Sequence, residues 1–265
     1  MSSSTPLSEA VSEIEENARA KQNAEKIDQK ITVARTLISN LNADIETLAD
    51  DVQELQFYRE ILDRAFGVSP PGDSSITEAR LAVDKDREQL VQDLVEDELD
   101  IDDEASQISG GPEFESYKRD IQEAQQAVSR DVDAAKNKLE TEKDEWVDKL
   151  DSAESLQRII GSQNDDFANT IQWLRRLVTK DMFNPNKSAT SVVQEWERAK
   201  EQWEGSEGLH GKEAYRKKKG LSSETMDEIE RLSRQSSVEL AEIDTDVISE
   251  LKSVPELSEA VKLSI

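Results

Sequence analysis

From Ile27 onward the apolar residues step by fours and threes, through Ile31, Ala34, Ile38, Leu41, Ile45, Leu48, Val52 and Leu55, and resume at Leu62 and Phe66. Only a helix gathers such a series on one face, and the spacing is that of a coiled-coil seam. Ile31, Ile38, Ile45 and Val52 fall at heptad position a, with Leu41, Leu48, Leu55 and Leu62 at d. That order favours two parallel strands. The flanks oppose it. Lys30 and Arg35 would meet with like charge across a parallel pair, while Leu37 and Tyr58 put apolar groups at g and widen the stripe. The expectation is therefore packing within one chain, with a monomer favoured over a parallel dimer. Ile31, Ile38, Leu41, Ile45, Leu48, Val52 and Leu55 form the candidate protein-interaction seam.

GVSPPGDSS at 67–75 stops this helix, because glycine releases the last turn and two prolines cannot continue it. A second stripe, Ile76, Ala79, Val83, Leu90, Leu94 and Ile101, predicts a helix over about 76–108. SGGP at 109–112 breaks the chain again, and a third stripe from Phe114 to Ala153 predicts a helix over 113–160. At 1.5 Å per residue these helices span roughly 60, 50 and 70 Å. Tight breaks between long helices predict an all-α protein, with an up-down-up, antiparallel coiled-coil or three-helix stalk at 27–160. Residues 1–26 read as a flexible acidic tail, and 161–265 as a small helical head with a basic, glycine-rich loop at 205–220.

Composition agrees with slender helices. Only 35% of the 265 residues are hydrophobic and 5% aromatic, whereas 35% are charged, too little apolar surface for a thick core. The net charge of −26 opposes compaction at ordinary ionic strength. Screening lengths fall to about 3 Å at 1 M salt, so a salt-rich cytoplasm is the expected setting. Without cysteine there is no disulfide frame and no thiolate metal site. MSSSTPLSEAVSEIEE lacks the basic start and apolar run of a secretory leader, and no stretch approaches the roughly 20 apolar residues of a membrane span. The expected location is cytoplasmic, with no membrane partner.

Charge changes sharply along the chain: −21 over residues 1–160, +2 over 161–220 and −7 over 221–265. The near-neutral region carries GSEGLHGKEAYRKKKG, whose glycines and Gly-Lys pair invite comparison with a phosphate-binding loop. A Walker loop needs four residues between its glycines and then Lys-Ser/Thr. Here five residues separate Gly205 from Gly211, Glu213 stands where the hydroxyl belongs, and an amphipathic helix precedes the stretch instead of a strand. The expectation is a linker between helices. His210, the single histidine, has no neighbours at ligand spacing. DELDIDDEASQISG has alternating acids but Ala105 where a calcium loop needs glycine, and Gly111 where it needs glutamate. No catalytic residue, metal site or cofactor is expected.

The basic cluster Lys212, Arg216, Lys217, Lys218 and Lys219, with Arg175 and Arg176 in the same region, is the candidate nucleic-acid surface. Cationic side chains hold phosphates, and the nearby tryptophans could stack bases. These cations could equally dock on the chain's own acidic helices. GLSSETMDEIERL and the terminal DVISELKSVPELSEAVKLSI resemble the C-terminal tail of the large P-loop ATPases of BREX-type phage-exclusion systems. The resemblance covers about 45 residues and contains no catalytic motif. It implies work around foreign DNA, by a derived or partner fragment without the nucleotide-binding domain, and no site residue is carried over. The function expected first is a non-catalytic scaffold or adaptor acting through contacts with other proteins. A nucleic-acid-associated adaptor in phage defence or chromosome maintenance is the alternative.

Overall fold

The computed structural model describes residues 7–84, 111–160, 165–180, 182–206, 208–234 and 243–255. Every regular element among them is helical: α1 (Leu7–Glu60), a π-helical continuation (Ile61–Phe66), α2 (Asp73–Val83), α3 (Gly111–Ile160), α4 (Asp165–Thr179), α5 (Ala189–Glu204), α6 (Lys212–Lys219), α7 (Ser223–Arg234) and α8 (Thr245–Ser253). The chain is all-α. It divides into two compact units, Met1–Leu55 with Gly72–Val132, and Gln56–Pro71 with Asp133–Ile265. The division therefore falls inside α1 and α3, not near residue 161.

In the first unit the d row of the heptads is the buried one: Ala34, Leu41, Leu48 and Leu55. Each such leucine contributes about 1.5–3 kcal/mol when fully withdrawn from water. The a row is less covered, with Ile38, Ile45 and Val52 half-buried and Ile31 44% exposed. Helix α3 supplies Phe114, Tyr117, Ile121, Ala124, Val128 and Val132 at matching three-four spacing, and α2 supplies Ile76 and Ala79. Gly72 starts α2 at φ +92°, and a Cβ there would lie 2.8 Å from Leu55 and 3.2 Å from Asp131. Only glycine fits both that backbone and that gap. The start of α2 thus sits beside Asp131, and its end shares a groove with Asp120 and Glu123, so α2 runs antiparallel to α3.

Helix α1 begins twenty residues before the expected start at Ile27, so most of the segment read as a flexible tail is helical. Every residue from Val11 to Thr32 is exposed. The helix expected over 76–108 is described only as far as Val83; the remainder, with Leu90, Leu94, Ile101 and the calcium-like run, lies outside the described residues.

In the second unit Gly67, at φ +69°, ends the π-helical turn, and Val68 donates its N–H to the Leu62 carbonyl at 2.9 Å, a closure one residue wider than the Schellman motif. The Pro70–Pro71 segment is fastened on both sides. Arg59 donates to the Pro71 carbonyl at 2.5 Å, and Lys138 to that of Ser69 at 2.9 Å. Tyr58, expected to widen the seam, is buried, with the Lys136 ammonium 5.7 Å from its ring centre. Trp196 of α5 donates its indole N–H to the Ala65 carbonyl at 2.9 Å, satisfying one of the acceptors a helix end leaves open. Around it Phe66, Trp146 and Phe183 approach at ring distances of 4.9, 5.0 and 5.9 Å, and Trp146 continues to Trp203 at 5.8 Å. A further cluster joins Leu156 of α3 to Tyr215, Leu221, Met226, Ile229, Ile243, Val247, Leu251 and Val254. Ser222 caps α7: its hydroxyl accepts from the Thr225 N–H at 3.1 Å, while its own N–H and hydroxyl donate to Glu250 at 2.8 and 3.0 Å.

Two stability measurements test this core. Leu48 is 1% exposed, so Leu48→Asp should cost several kcal/mol in denaturant unfolding, whereas Ile31→Asp at 44% exposure should change stability by less than about 1 kcal/mol. Equal losses would mean that the d row is not the core. Tyr117 is 1% exposed and its hydroxyl has no hydrogen-bond partner among the described residues. Leaving such a group unsatisfied costs about 1–3 kcal/mol, so Tyr117→Phe should leave the protein as stable or raise its melting temperature.

Candidate functional site

The basic stretch is not an exposed loop. Lys212–Lys219 forms α6, with Tyr215 buried on its inner face. Gly211 precedes it at φ +152°, and a Cβ there would lie 2.3 Å from the Ser152 hydroxyl of α3, so the chain passes against α3 at a point where no larger residue fits. Gly208 is held as closely, by the side chain of Lys218. Gly208 and Gly211 serve close packing, and the expected linker is a fitted part of the second unit.

The expected cations are brought into one unit but spend much of their charge locally. Lys212 forms an ion pair with Glu230 of α7. Arg216 takes Glu213 in a two-pronged contact at 2.7 and 2.8 Å and also donates to the Leu221 carbonyl at 3.3 Å. Lys217 approaches the same Glu213 at 3.4 Å, yet its side chain remains 70% exposed. The Lys219 ammonium lies 5.9 Å from the Tyr215 ring centre. Arg175 reaches Asp151 at 2.5 Å and Glu154 at 2.9 Å, both on α3. That hydrogen bond to Asp151 leads the influences holding its guanidinium above the usual range. Docking on the chain's own acids is thus visible for Arg175 and Lys212. Arg176 is exposed, as is Lys218 along one flank.

Tryptophans assigned to base stacking are mostly interior. Trp196 and Trp203 are buried, and Trp173 is half-buried with its indole N–H 3.5 Å from Glu195. His210 lies flat on Trp203, with ring centres 4.4 Å apart and planes 8° from parallel, and its Nε2 is 2.6 Å from the Trp203 carbonyl. It closes the end of α5. Among the described residues no group of three or more His, Asp or Glu side chains is arranged to hold a metal ion. No described helix is long and apolar enough to cross a membrane.

The acidic partners Glu213, Glu230, Asp151 and Glu154 were missed from sequence. Glu213 was accessible to it: three and four residues before Arg216 and Lys217 is helical pairing distance, once the segment is taken as helix. Glu230 and the α3 acids join their cations only through the fold. No family model, curated protein or solved structure matches the chain.

Glu213 offers a direct check on this network. Hydrogen bonds from Arg216, and then from Lys217, hold its carboxyl down at about 2 against an ordinary 4.5. A folded value below the unfolded one means that its stabilising contribution is complete above about pH 4.5 and is lost as the pH falls towards 2. Carboxyl NMR titration should show Glu213 ionised throughout that interval, and Arg216→Gln should return its midpoint towards 4.5. A wild-type midpoint already at the ordinary value would dissolve the proposed pairing.

Proposed function

We propose that this chain is a non-catalytic helical scaffold that works through contacts with other proteins. The observation carrying this reading is the N-terminal part of α1. Val11, Ile14, Ile27 and Ile31 are 48, 68, 58 and 44% exposed on a stretch of helix in which no residue is covered. A helix gains most of its stability from burying an apolar stripe, so a long helix with such residues in water presents faces for partners, Val11 and Ile14 on one and Ile27 and Ile31 on another. A salt-rich cytoplasm is part of the proposal, supported by the charge of −26.

The alternative is an adaptor that holds nucleic acid through α6 and Arg176, in phage defence or chromosome maintenance. The exposed Lys217 favours it, while the pairing of Lys212, Arg216 and Arg175 with carboxylates reduces the charge left for phosphate.

One experiment separates the two. Wild type, a variant with Val11, Ile14, Ile27 and Ile31 changed to Glu, and a variant with Lys212, Arg216, Lys217, Lys218 and Lys219 changed to Gln are compared for protein capture and for DNA binding at moderate salt. The scaffold reading expects the glutamate variant to unfold within about 1 kcal/mol of wild type while losing captured proteins. Unchanged capture ends that reading. The adaptor reading expects DNA binding of any sequence by wild type, weakened and less salt-dependent in the glutamine variant. No binding to single- or double-stranded DNA by folded wild type removes it.

A further inference from the structure

Two features of the first unit fit each other. The first is the exposed continuation of the α1 seam. Ala20 and Ile27 extend the buried row Ala34–Leu41–Leu48–Leu55 at seven-residue steps, and Ala24 and Ile31 extend the row of Ile38, Ile45 and Val52. All four residues are exposed, and Lys21 and Lys30 flank them. Residues 18–31 carry Arg19, Lys21, Lys26 and Lys30 against Glu25 and Asp28, a basic stretch on a chain of net −26.

The second feature is an open groove of about 550 Å³ between α2 and α3. Ala82, Ala124 and Ala127 line it, small side chains that let another backbone approach. Leu81 stands at its side, 66% exposed, and Glu78, Asp120 and Glu123 face a single cation, Arg130. The groove follows α3 from Asp120 to Arg130, a rise of about 15 Å, and the stripe from Ala20 to Ile31 rises about 16 Å.

We infer that the stripe Ala20–Ala24–Ile27–Ile31 of one chain docks in the α2–α3 groove of a second copy, with its lysines against the groove's carboxylates. The groove lies too far along α1 to take the stripe of its own chain. Leu55 and Asp131 lie at one height beside Gly72, and α3 runs back from there along the buried part of α1, so the groove at Asp120–Arg130 stays about 20 Å or more along α1 from the stripe. Exchange in both directions gives a closed two-fold dimer in which each groove and each stripe is used once. The pairing differs from the parallel seam-to-seam dimer that the flanking charges disfavour. It rests on the scaffold reading and names the partner as another copy of the chain.

The absence of cysteine makes the test unambiguous. Full-length Ile27→Cys and Leu81→Cys chains, both altered at exposed positions, are mixed and oxidised at moderate salt. A disulfide-linked pair should form in the mixture and much less in either chain alone. In sedimentation, Ile27→Glu should abolish the dimer and Glu123→Lys should raise its Kd about tenfold, with Lys21→Glu/Lys30→Glu added to Glu123→Lys restoring association. A monomer throughout the micromolar range, cross-linking no greater in the mixture, or a dimer indifferent to Ile27→Glu each overturns the inference. A monomer that still captures another protein through residues 11–31 does so while leaving the scaffold reading intact.

Discussion

The hydrogen bond from the Trp196 indole to the Ala65 carbonyl is the constraint from which the second unit follows. A chain with 5% aromatic residues has few large side chains for a core, and this one concentrates them. Trp146, Trp196, Trp203, Phe66, Phe167 and Phe183 come from five separate stretches of chain and touch in one series of tilted and edge-on contacts. Such rings bury large areas and prefer defined angles. The hydrogen bond fixes one member against a backbone atom, and this sets where α5 lies relative to the end of α1. Trp203 then supplies both the face and the carbonyl that hold His210, and through them the entry to α6.

Charge in this unit is organised by the same economy of partners. Its cations are not a free patch on a neutral domain but the other halves of local contacts, with Arg175 on α3, Lys212 on α7 and Arg216 on its own helix. Exposed ion pairs of this kind contribute little individually, about 0–1 kcal/mol. The pairing of Arg216 with Glu213 lies within α6 itself, so burial of an aromatic ring rather than charge sets which face turns inward. Tyr215 occupies that face.

Much of this was legible from residue spacing. The heptads located α1, and the stripe from Phe114 to Ala153 located α3 to within two residues at its start. Other features depended on tertiary partners. Periodicity does not say which of two seam rows is covered, because that depends on where α2 and α3 lie; the d row is buried and the a row only partly. The stretch from Leu7 to Lys26 has few apolar residues at one phase, since Val11 and Ile14 fall on a different face from Ile27 and Ile31, so its helicity left a weak signal. The glycines of 205–220 resembled a linker because glycine marks close approach as well as looseness. Only the position of Ser152 against Gly211 distinguishes the two.

The exposed length of α1 also has a thermodynamic character of its own. An isolated peptide of residues 7–33 would have to form its first helical turn unaided, the step that makes short helices rare in water. Joined to a buried segment from Ala34 onward, it begins from an existing nucleus and needs only propagation, for which each residue's equilibrium is close to balanced. The segment therefore behaves as a seeded helix whose order spreads outward from Ala34. Temperature, solvent and anything that binds along it set how far the ordered rod extends.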